Sequence, residues 1–182
     1  MPRIIFALFF LVMPVVAQAT EAGWAALREG GHVVLLSHAM ANGTTDPANF
    51  DIAVCTTQRN LSARGKQQAR KIGALFGARA APVDLILSSN YCRCLDTARM
   101  AFESEPEPFP ALDLPKGDTV EKAAQMAEII GRIRDYSGSG NLIMITHGQN
   151  IQNLTGISPH AGEVVIVTPD GDGLRVLGRV RF

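Results

Sequence analysis

The feature that most constrains the fold is a pair of short apolar runs that each end at a histidine. Residues 32–37 close on Ser37-His38, and residues 142–145 close on Thr146-His147. A third run, residues 83–87, closes on Ser88-Ser89. Aliphatic runs of this length without alternating polar residues are typical of strands buried on both faces of a sheet. Such strands occur almost only in α/β proteins, where helices cover both faces of a parallel sheet.

Helical segments separate these strands, as the connection between parallel strands requires. Apolar spacing and capping signals predict helices over residues 24–29, about 61–80, 90–101, 119–134 and 149–154. Residues 164–167 and 174–180 are predicted as two further strands around the turn signal Pro-Asp-Gly-Asp-Gly. The order of elements predicts an α/β three-layer sandwich, with a mainly parallel central sheet and helices on both faces. Residues 39–60 and 103–117 lack periodicity and are predicted as long loops, with Asp46-Pro47 as a simple turn.

Candidate functional residues follow the predicted strands. Ligands of parallel sheets bind outside the carboxyl ends of the strands, where His38, Ser88-Ser89 and His147 are expected. Arg93 falls in the first turn of the helix after Ser88-Ser89, and Arg59 just precedes the helix at residue 61. Histidine can act as a nucleophile, and arginine binds phosphate through two parallel hydrogen bonds. Two histidines with one or two arginines therefore indicate phosphoryl transfer, with no metal and no cofactor.

Four segments, in the right order, resemble the motifs of the histidine phosphatase superfamily, the phosphoglycerate-mutase-like group. They are VVLLSHA, QRNLSARGKQQARKIG, ILSSNYCRCLDTA and LIMITHGQNIQNLTG. The similarity covers nearly the whole chain after its first 19 residues and is strongest to a small exported subgroup. It implies the phosphoglycerate-mutase-like fold, with His38 as the phospho-accepting nucleophile. It also implies that Arg93 and His147 bind the phosphoryl oxygens and that Arg59 flanks the pocket.

The sequence departs from the family pattern at Ser37, where the superfamily has the arginine of its Arg-His-Gly hallmark. A serine hydroxyl offers the substrate one neutral hydrogen bond in place of a charged fork. By analogy with a deleted oxyanion donor, this loss costs about 3–4 kcal/mol, or roughly 10²–10³ in rate. Two hypotheses follow: a weakened phosphatase of phosphate monoesters, and a catalytically inactive relative that binds a phosphorylated or anionic ligand.

The resemblance also implies a carboxylic acid that protonates the leaving group. No residue matches such a donor well, and four candidates lie in suitable regions of the sequence. They are Asp113, Asp118, Glu121 and Glu163. A positioned general acid contributes roughly 10²–10⁴-fold to the rate.

The N-terminus has the form of a secretory signal peptide over residues 1–19. Arg3 precedes an apolar stretch, residues 4–16, which is too short to span a bilayer, and Ala17-Gln18-Ala19 has the small-x-small form of a cleavage site. An uncleaved membrane anchor is the alternative. We expect a domain over residues 20–182 in an exported compartment such as a bacterial periplasm. The formal net charge is +0, which argues against nucleic acid and leaves a small phosphate ester or a phosphorylated envelope component as partner.

An oxidising compartment favours a disulfide among Cys55, Cys92 and Cys94. We expect Cys55 to pair with Cys92 or with Cys94, because Cys92 and Cys94, two apart at a helix start, point to different sides. A zinc site made from these cysteines and a histidine is the third functional hypothesis, although the spacing matches no common zinc pattern.

Overall fold

The computed structural model describes residues 15–182, with side chains from residue 20 onward. The first helix, α1 (Val15–Glu29), runs through the predicted cleavage position. The charged region of the predicted signal peptide and most of its apolar stretch lie outside the described residues. No helix in the described part of the chain is both long enough and apolar enough to cross a membrane.

One six-stranded sheet forms the centre of the molecule, in the order β3-β2-β4-β1-β5-β6. Its strands are β1 (Val33–Ser37), β2 (Val83–Ser88), β3 (Glu107–Pro108), β4 (Asn141–Thr146), β5 (Val164–Asp170) and β6 (Gly173–Val180). The first four in this spatial order are mutually parallel, whereas β5 is antiparallel to both β1 and β6. The predicted mainly parallel sheet and the terminal hairpin are both confirmed.

Helices cover the two faces of this sheet. Beside α1, they are α2 (Ala63–Ala78), α3 (Cys92–Phe102), α4 (Thr119–Arg134) and α5 (Gly148–Thr155). Alternate β1 residues point to opposite cores. Val34 and Leu36 pack with side chains of α1, α2 and α3, while Val33 and Leu35 pack with side chains of α4 and α5. The unbroken apolar character of the strand is therefore explained by burial on both sides, as predicted for a three-layer sandwich.

Both predicted loops contain short elements that the sequence pattern did not predict. Residues 103–117 contain the two-residue strand β3, which pairs with Leu87 and Ser88 of β2. A strand of two residues that includes a proline has no strand pattern in the sequence, so it was not predicted. Residues 39–60 hold no regular element except a short 3-10 helix, Cys55–Thr57.

A disulfide joins Cys55 of that loop to Cys92, the first residue of α3. The predicted pairing is confirmed, and the structure selects Cys92 over Cys94. Cys94 is a free, buried thiol. The crosslink attaches the long loop to the helix that carries Arg93.

Candidate active site

The two histidines meet because their strands are neighbours. Parallel β1 and β4 pair in a register that sets Ser37 beside Thr146, so the next residue of each strand emerges at the same edge of the sheet. The backbone N–H of His38 donates to the carbonyl of Thr146 at 3.0 Å. The ring centroids of His38 and His147 lie 5.4 Å apart, edge to face. The strand ends thus bring together two side chains that are more than a hundred residues apart in sequence.

His38 presents one free nitrogen. Its Nδ1 lies 2.8 Å from the carbonyl oxygen of Ala39, and a carbonyl can only accept, so Nδ1 carries the hydrogen. In the neutral ring, Nε2 then keeps its lone pair. Burial lowers the pKa of His38 to about 4, and the positive charges of Arg93 and Arg59 act in the same direction, against the opposing effect of the backbone hydrogen bond. Near neutral pH the ring is therefore uncharged and able to act as a nucleophile.

His147 is held in the opposite tautomer by a hydrogen-bond chain. Its Nε2 lies 3.1 Å from the hydroxyl of Ser89, and that hydroxyl donates to the carboxylate of Asp113 at 2.7 Å. Since the hydroxyl has one proton, Nε2–H of His147 is the donor to Ser89. The remaining nitrogen, Nδ1, is buried and has no partner in the described part of the chain. Burial lowers the pKa of His147 well below its usual value, and the neighbouring His38 and Arg93 add to this effect.

Two arginines surround a carboxylate next to the histidines. Arg93 is 1 % exposed, and its Nη1 donates to Oδ1 of Asp46 at 3.0 Å. Its guanidinium also lies over the ring of Tyr91, 4.4 Å from the centroid. The backbone N–H of Arg59 donates to the same Oδ1 at 2.8 Å, and its Nη1 donates to the carbonyl of Gly43 at 3.2 Å. Of the Arg93 nitrogens, Nε is buried and without a partner among the described residues.

These groups enclose a cavity of about 360 Å³. Its wall is formed by His38, His147, Arg59, Arg93 and Asp46, together with Thr44, Thr45, Leu114, Gly148 and Gln149. The helix α5 begins at Gly148, so its N-terminal backbone N–H groups lie at the cavity wall. Helix N-termini and arginines both favour anions. With the histidines neutral, the charged groups of the wall are two guanidinium cations and one carboxylate.

The chain that leaves His38 is clamped by the first turns of α2. Gln68 accepts from the backbone N–H of Met40 at 3.0 Å and donates to the carbonyl of Ala161 at 2.8 Å. The N-cap residue Ser62 donates to the carbonyl of Met40 at 3.2 Å. A Cβ at Gly65 would collide with that same carbonyl, so only glycine permits this approach. The Gly-x-x-Gln spacing of the α2 motif therefore positions the histidine loop.

None of the four acid candidates lines the cavity, and three of them bind groups away from the histidines. Asp118 and Glu121 form a capping box at the start of α4. Glu163 is 1 % exposed and pairs with Arg179 at 2.6 Å and Arg181 at 3.2 Å. Sequence reasoning considered all three, but the structure brings none of them to the histidines.

Asp113, the fourth candidate, lies one hydroxyl away from His147. Its Oδ1 accepts from the Ser89 hydroxyl and from the backbone N–H of Asn90, and its Oδ2 accepts from the Asn90 side chain at 3.2 Å. Asp113 is outside the cavity wall and orients the loop between β2 and α3. Ser37 is also absent from that wall: it is buried, and its backbone N–H donates to the carbonyl of Glu163.

Asp46 is the site residue that sequence reasoning missed. The Asp-Pro pair indicates a turn, and a turn does begin at Pro47, whose carbonyl accepts from the N–H of Phe50 at 3.1 Å. Nothing local in the sequence shows that the aspartate reaches Arg93, 47 residues further on. The one available signal was the pairing of Cys55 with a cysteine beside Arg93, which predicts that this loop crosses the site.

The cysteines bear on the zinc hypothesis. Cys92 is taken up by the disulfide, and the described residues contain no group of three or more His, Cys, Asp or Glu that could hold a metal ion. The Sγ of Cys94 lies 3.8 Å from Nε2 of His147. Burial raises the pKa of this thiol to about 12, so it is protonated and unsuited to nucleophilic attack.

No protein-family model matches the sequence, and no curated protein matches it. Solved structures do share its fold. The protein histidine phosphatase SixA complexed with tungstate is 18 % identical, with a TM-score of 0.57 over 82 % of this chain and 96 % of that one. A phosphoserine phosphatase from Entamoeba histolytica is 13 % identical, with a TM-score of 0.58 over 83 % and 97 %.

A mycobacterial glucosyl-3-phosphoglycerate phosphatase is 14 % identical, with a TM-score of 0.56 over 83 % of this chain and 99 % of that one. Each similarity covers nearly the whole of the neighbour, so it concerns the complete domain and not a shared fragment. The chain has the fold of the histidine phosphatases, as its four motifs predicted.

Proposed function

We propose that this chain is a metal-independent phosphatase that hydrolyses phosphate monoesters through a phosphohistidine at His38. The observation that carries the proposal is the state of that ring. His38 is buried and uncharged, its Nδ1–H is bound to a backbone carbonyl, and it lies in the wall of a cavity that two arginines also line. A neutral imidazole with one fixed N–H has a defined nucleophilic nitrogen.

In the first step, Nε2 of His38 attacks phosphorus, the N–P bond forms and the bond from phosphorus to the leaving oxygen breaks. The hydrogen bond from Nδ1 to Ala39 stabilises the positive charge that develops on the ring. In the second step, water attacks phosphorus, the N–P bond breaks and inorganic phosphate leaves. Both steps spread negative charge over the phosphoryl oxygens, which positioned cations and donors stabilise.

We propose that three groups bind those oxygens. Arg93 and Arg59 supply guanidinium donors at the cavity wall. His147 has an orphan Nδ1 that is unprotonated in the empty site. An arriving phosphoryl anion favours the protonated imidazole, in which Nδ1–H becomes a charged donor. The Ser89–Asp113 chain, which binds Nε2, fixes the ring so that this second proton goes to Nδ1.

The fold neighbours support a phosphorylated substrate. They include a phosphoserine phosphatase, a glucosyl-3-phosphoglycerate phosphatase and SixA in complex with tungstate. Tungstate is a tetrahedral oxyanion, like phosphate. A cavity of about 360 Å³ is large enough to admit a phosphoryl group. We therefore propose a small-molecule phosphate ester or a phosphorylated envelope component as the substrate, with no role for nucleic acid.

The proposed location is the exported, periplasmic compartment that the signal sequence predicts. The Cys55–Cys92 disulfide supports this location, since disulfides persist in oxidising compartments. N-terminal sequencing of the exported protein tests it, with a mature chain that starts near Thr20 as the expected result.

A specific observation favours the second candidate, a catalytically inactive binding protein. The position where the resemblance places an arginine is Ser37, which does not line the cavity, and Asp46 holds one of the two remaining cations. An inactive protein would bind tungstate and fail to hydrolyse any ester.

Turnover of p-nitrophenyl phosphate separates the two candidates. We expect wild type to hydrolyse it, His38→Ala to be inactive, and the matched surface variant His160→Ala to retain wild-type activity. If wild type shows no turnover and still binds tungstate by calorimetry, the binding protein is the correct interpretation. In that case Ser37→Arg, checked for folding by circular dichroism, tests whether the missing guanidinium accounts for the inactivity.

A further inference from the structure

Asp46 lies in the wall of the cavity and binds both of its arginines. Among the described residues, the cavity wall contains one carboxyl group, and it belongs to Asp46. Resting on the proposed function, we propose that Asp46 is the general acid that protonates the leaving group and the general base that then activates water. In this proposal Asp46 acts directly on the substrate, whereas the sequence alone indicated only a simple turn at Asp46-Pro47.

The two oxygens of Asp46 differ in their surroundings. Oδ1 is anchored by Nη1 of Arg93 at 3.0 Å and by the backbone N–H of Arg59 at 2.8 Å. Oδ2 accepts no hydrogen bond in the described part of the chain, and the side chain is 18 % exposed although its arginine partner is 1 % exposed. The carboxyl group is thus fixed at one oxygen and available to a substrate at the other.

The other carboxyl groups near the site are engaged elsewhere. Both oxygens of Asp113 accept hydrogen bonds from the loop between β2 and α3. Asp118 and Glu121 bind each other's backbone at the start of α4. Glu163 is occupied by two arginines of the terminal hairpin. A carboxyl group that lines the cavity and has a free oxygen is the better candidate for proton transfer to a bound ester.

The ion pair between Asp46 and Arg93 explains how Asp46 changes from a carboxylate to a carboxylic acid when the substrate binds. In the empty site the guanidinium binds the carboxylate. A phosphoryl group competes for the same guanidinium, and negative charge beside a carboxylate favours its protonated form. Binding the monoanion of a phosphate ester supplies that proton from the substrate itself. The site then holds a phosphoryl dianion on Arg93 and a carboxylic acid at Asp46.

Every proton is accounted for in the two steps. While Nε2 of His38 bonds to phosphorus, the proton on Oδ2 of Asp46 moves to the departing oxygen, and the product leaves as a neutral alcohol. The carboxylate that remains accepts a proton from the attacking water as the N–P bond breaks. Asp46 is then protonated again, and it can return this proton to the departing phosphate.

The rigidity of the surrounding loop supports this role. Asp46 lies between the His38 turn and the Cys55–Cys92 disulfide. Arg59, whose N–H binds Oδ1, is in turn fixed by its guanidinium on the carbonyl of Gly43. A general acid must be held within hydrogen-bond reach of the leaving oxygen, and three separate attachments restrain this segment.

The test compares two substrates whose leaving groups differ in their need for a proton. For Asp46→Asn we expect kcat on glycerol 2-phosphate, an alkyl ester, to fall by roughly 10²–10⁴-fold. On p-nitrophenyl phosphate, whose leaving phenolate is stable without a proton, the loss should stay below about tenfold. KM should not rise on either substrate, because the variant releases Arg93 from its carboxylate. Asp51→Asn, a carboxyl change in the same loop, is the matched control and should affect neither substrate.

The outcomes distinguish the two proposals. Equal losses on both substrates, or no loss on the alkyl ester, would overturn the assignment of Asp46 while leaving His38 catalysis intact. If wild type itself hydrolyses neither ester, the proposed function fails first. Where Asp46→Asn folds poorly by circular dichroism, Asp46→Glu keeps the carboxyl group and should retain a leaving-group dependence close to that of wild type. A folded Asp46→Glu with the steep dependence expected of Asp46→Asn, or a folded Asp46→Asn with wild-type dependence, would contradict the role.

Discussion

The strand ends and the 39–60 loop both contribute to the cavity, but different interactions hold them. His38 and His147 are fixed by the register of β1 and β4 and by cores on both sides of the sheet. Asp46 and Arg59 lie in a segment without regular structure, which a disulfide, an ion pair and backbone hydrogen bonds attach to the domain. The proposed nucleophile, His38, therefore follows a strand of the buried sheet, whereas the charged residues Asp46 and Arg59 lie in an attached loop.

This difference indicates which parts of the site can be altered without loss of the fold. Removing a loop attachment should change catalysis and leave the sheet intact. Removing a strand residue should affect both catalysis and the sheet. Three experiments test this division.

Arg93→Ala should have the largest effect, because Arg93 joins the two regions. It lies on α3, is almost fully buried, and binds Asp46 of the loop. Under the proposed function, its loss removes a cation that stabilises the transition state, and it leaves the Asp46 carboxylate without its ion pair. We expect kcat/KM on p-nitrophenyl phosphate to fall by roughly 10²–10³-fold, by analogy with a deleted oxyanion donor.

Arg99→Ala is the control, because Arg99 is on the same helix and pairs with surface carboxylates. It should keep wild-type kcat/KM. A result in which Arg93→Ala and Arg99→Ala behave alike would contradict the placement of Arg93 in the phosphoryl site.

Opening the Cys55–Cys92 disulfide should loosen the loop and spare the sheet. The crosslink closes a segment of 37 residues, and for such a loop the chain-entropy estimate is about 3–4 kcal/mol of stability. We expect the double variant Cys55→Ser, Cys92→Ser to lower the denaturation midpoint and kcat, while its far-ultraviolet circular dichroism stays native.

Reductant supplies the internal control for this experiment. Dithiothreitol should lower the activity of wild type and leave the double variant unchanged. If the double variant lacks the native circular dichroism spectrum without denaturant, then the sheet depends on the attachment of the loop.

The pKa of His38 should respond least to the loop. Burial within the fold is the main cause of its low pKa, about 4, and Arg59 contributes less. By nuclear magnetic resonance, the His38 ring should stay neutral down to about pH 5, and reduction of the disulfide should raise its pKa by less than about one unit. A return of the pKa toward the usual 6.5 on reduction would mean that the loop, and not the sheet, keeps water away from the ring.

The same pKa predicts the direction of acid sensitivity. In the unfolded chain His38 has its ordinary pKa, near 6.5, and in the folded chain it has a value of about 4. As the pH falls through this window, the unfolded chain takes up a proton before the folded one does. The contribution of His38 to the free energy of unfolding is therefore intact above pH 6.5 and is lost progressively toward pH 4.

The sequence allowed prediction of the parts that rest on local patterns. The buried strands and the terminal hairpin follow from short-range periodicity and turn chemistry. The placement of His38 and His147 at one edge follows from the rule for parallel sheets. Neither a local pattern nor the rule for parallel sheets predicts the position of Asp46. Its partner Arg93 comes within reach only when the loop has folded.

Some of the misplaced acid candidates carried readable local signals. Asp118 and Glu121 stand three apart before an apolar helix, which is the signature of a capping box. Glu163 directly precedes β5, and the hairpin register sets Val164 beside Val180, between Arg179 and Arg181. Chain-order arguments assigned these carboxyl groups to the site, whereas capping and cross-strand pairing assign them to structure.

The most direct test of the account is the identity of the phosphorylated residue during turnover. Wild type is mixed with p-nitrophenyl phosphate, quenched in alkali because phosphohistidine is labile in acid, and digested for mass spectrometry. The account predicts a phosphoryl group on His38 and none in the His38→Ala variant. Turnover without a phosphoryl group on His38, or with one on His147 or Ser89 instead, would contradict it.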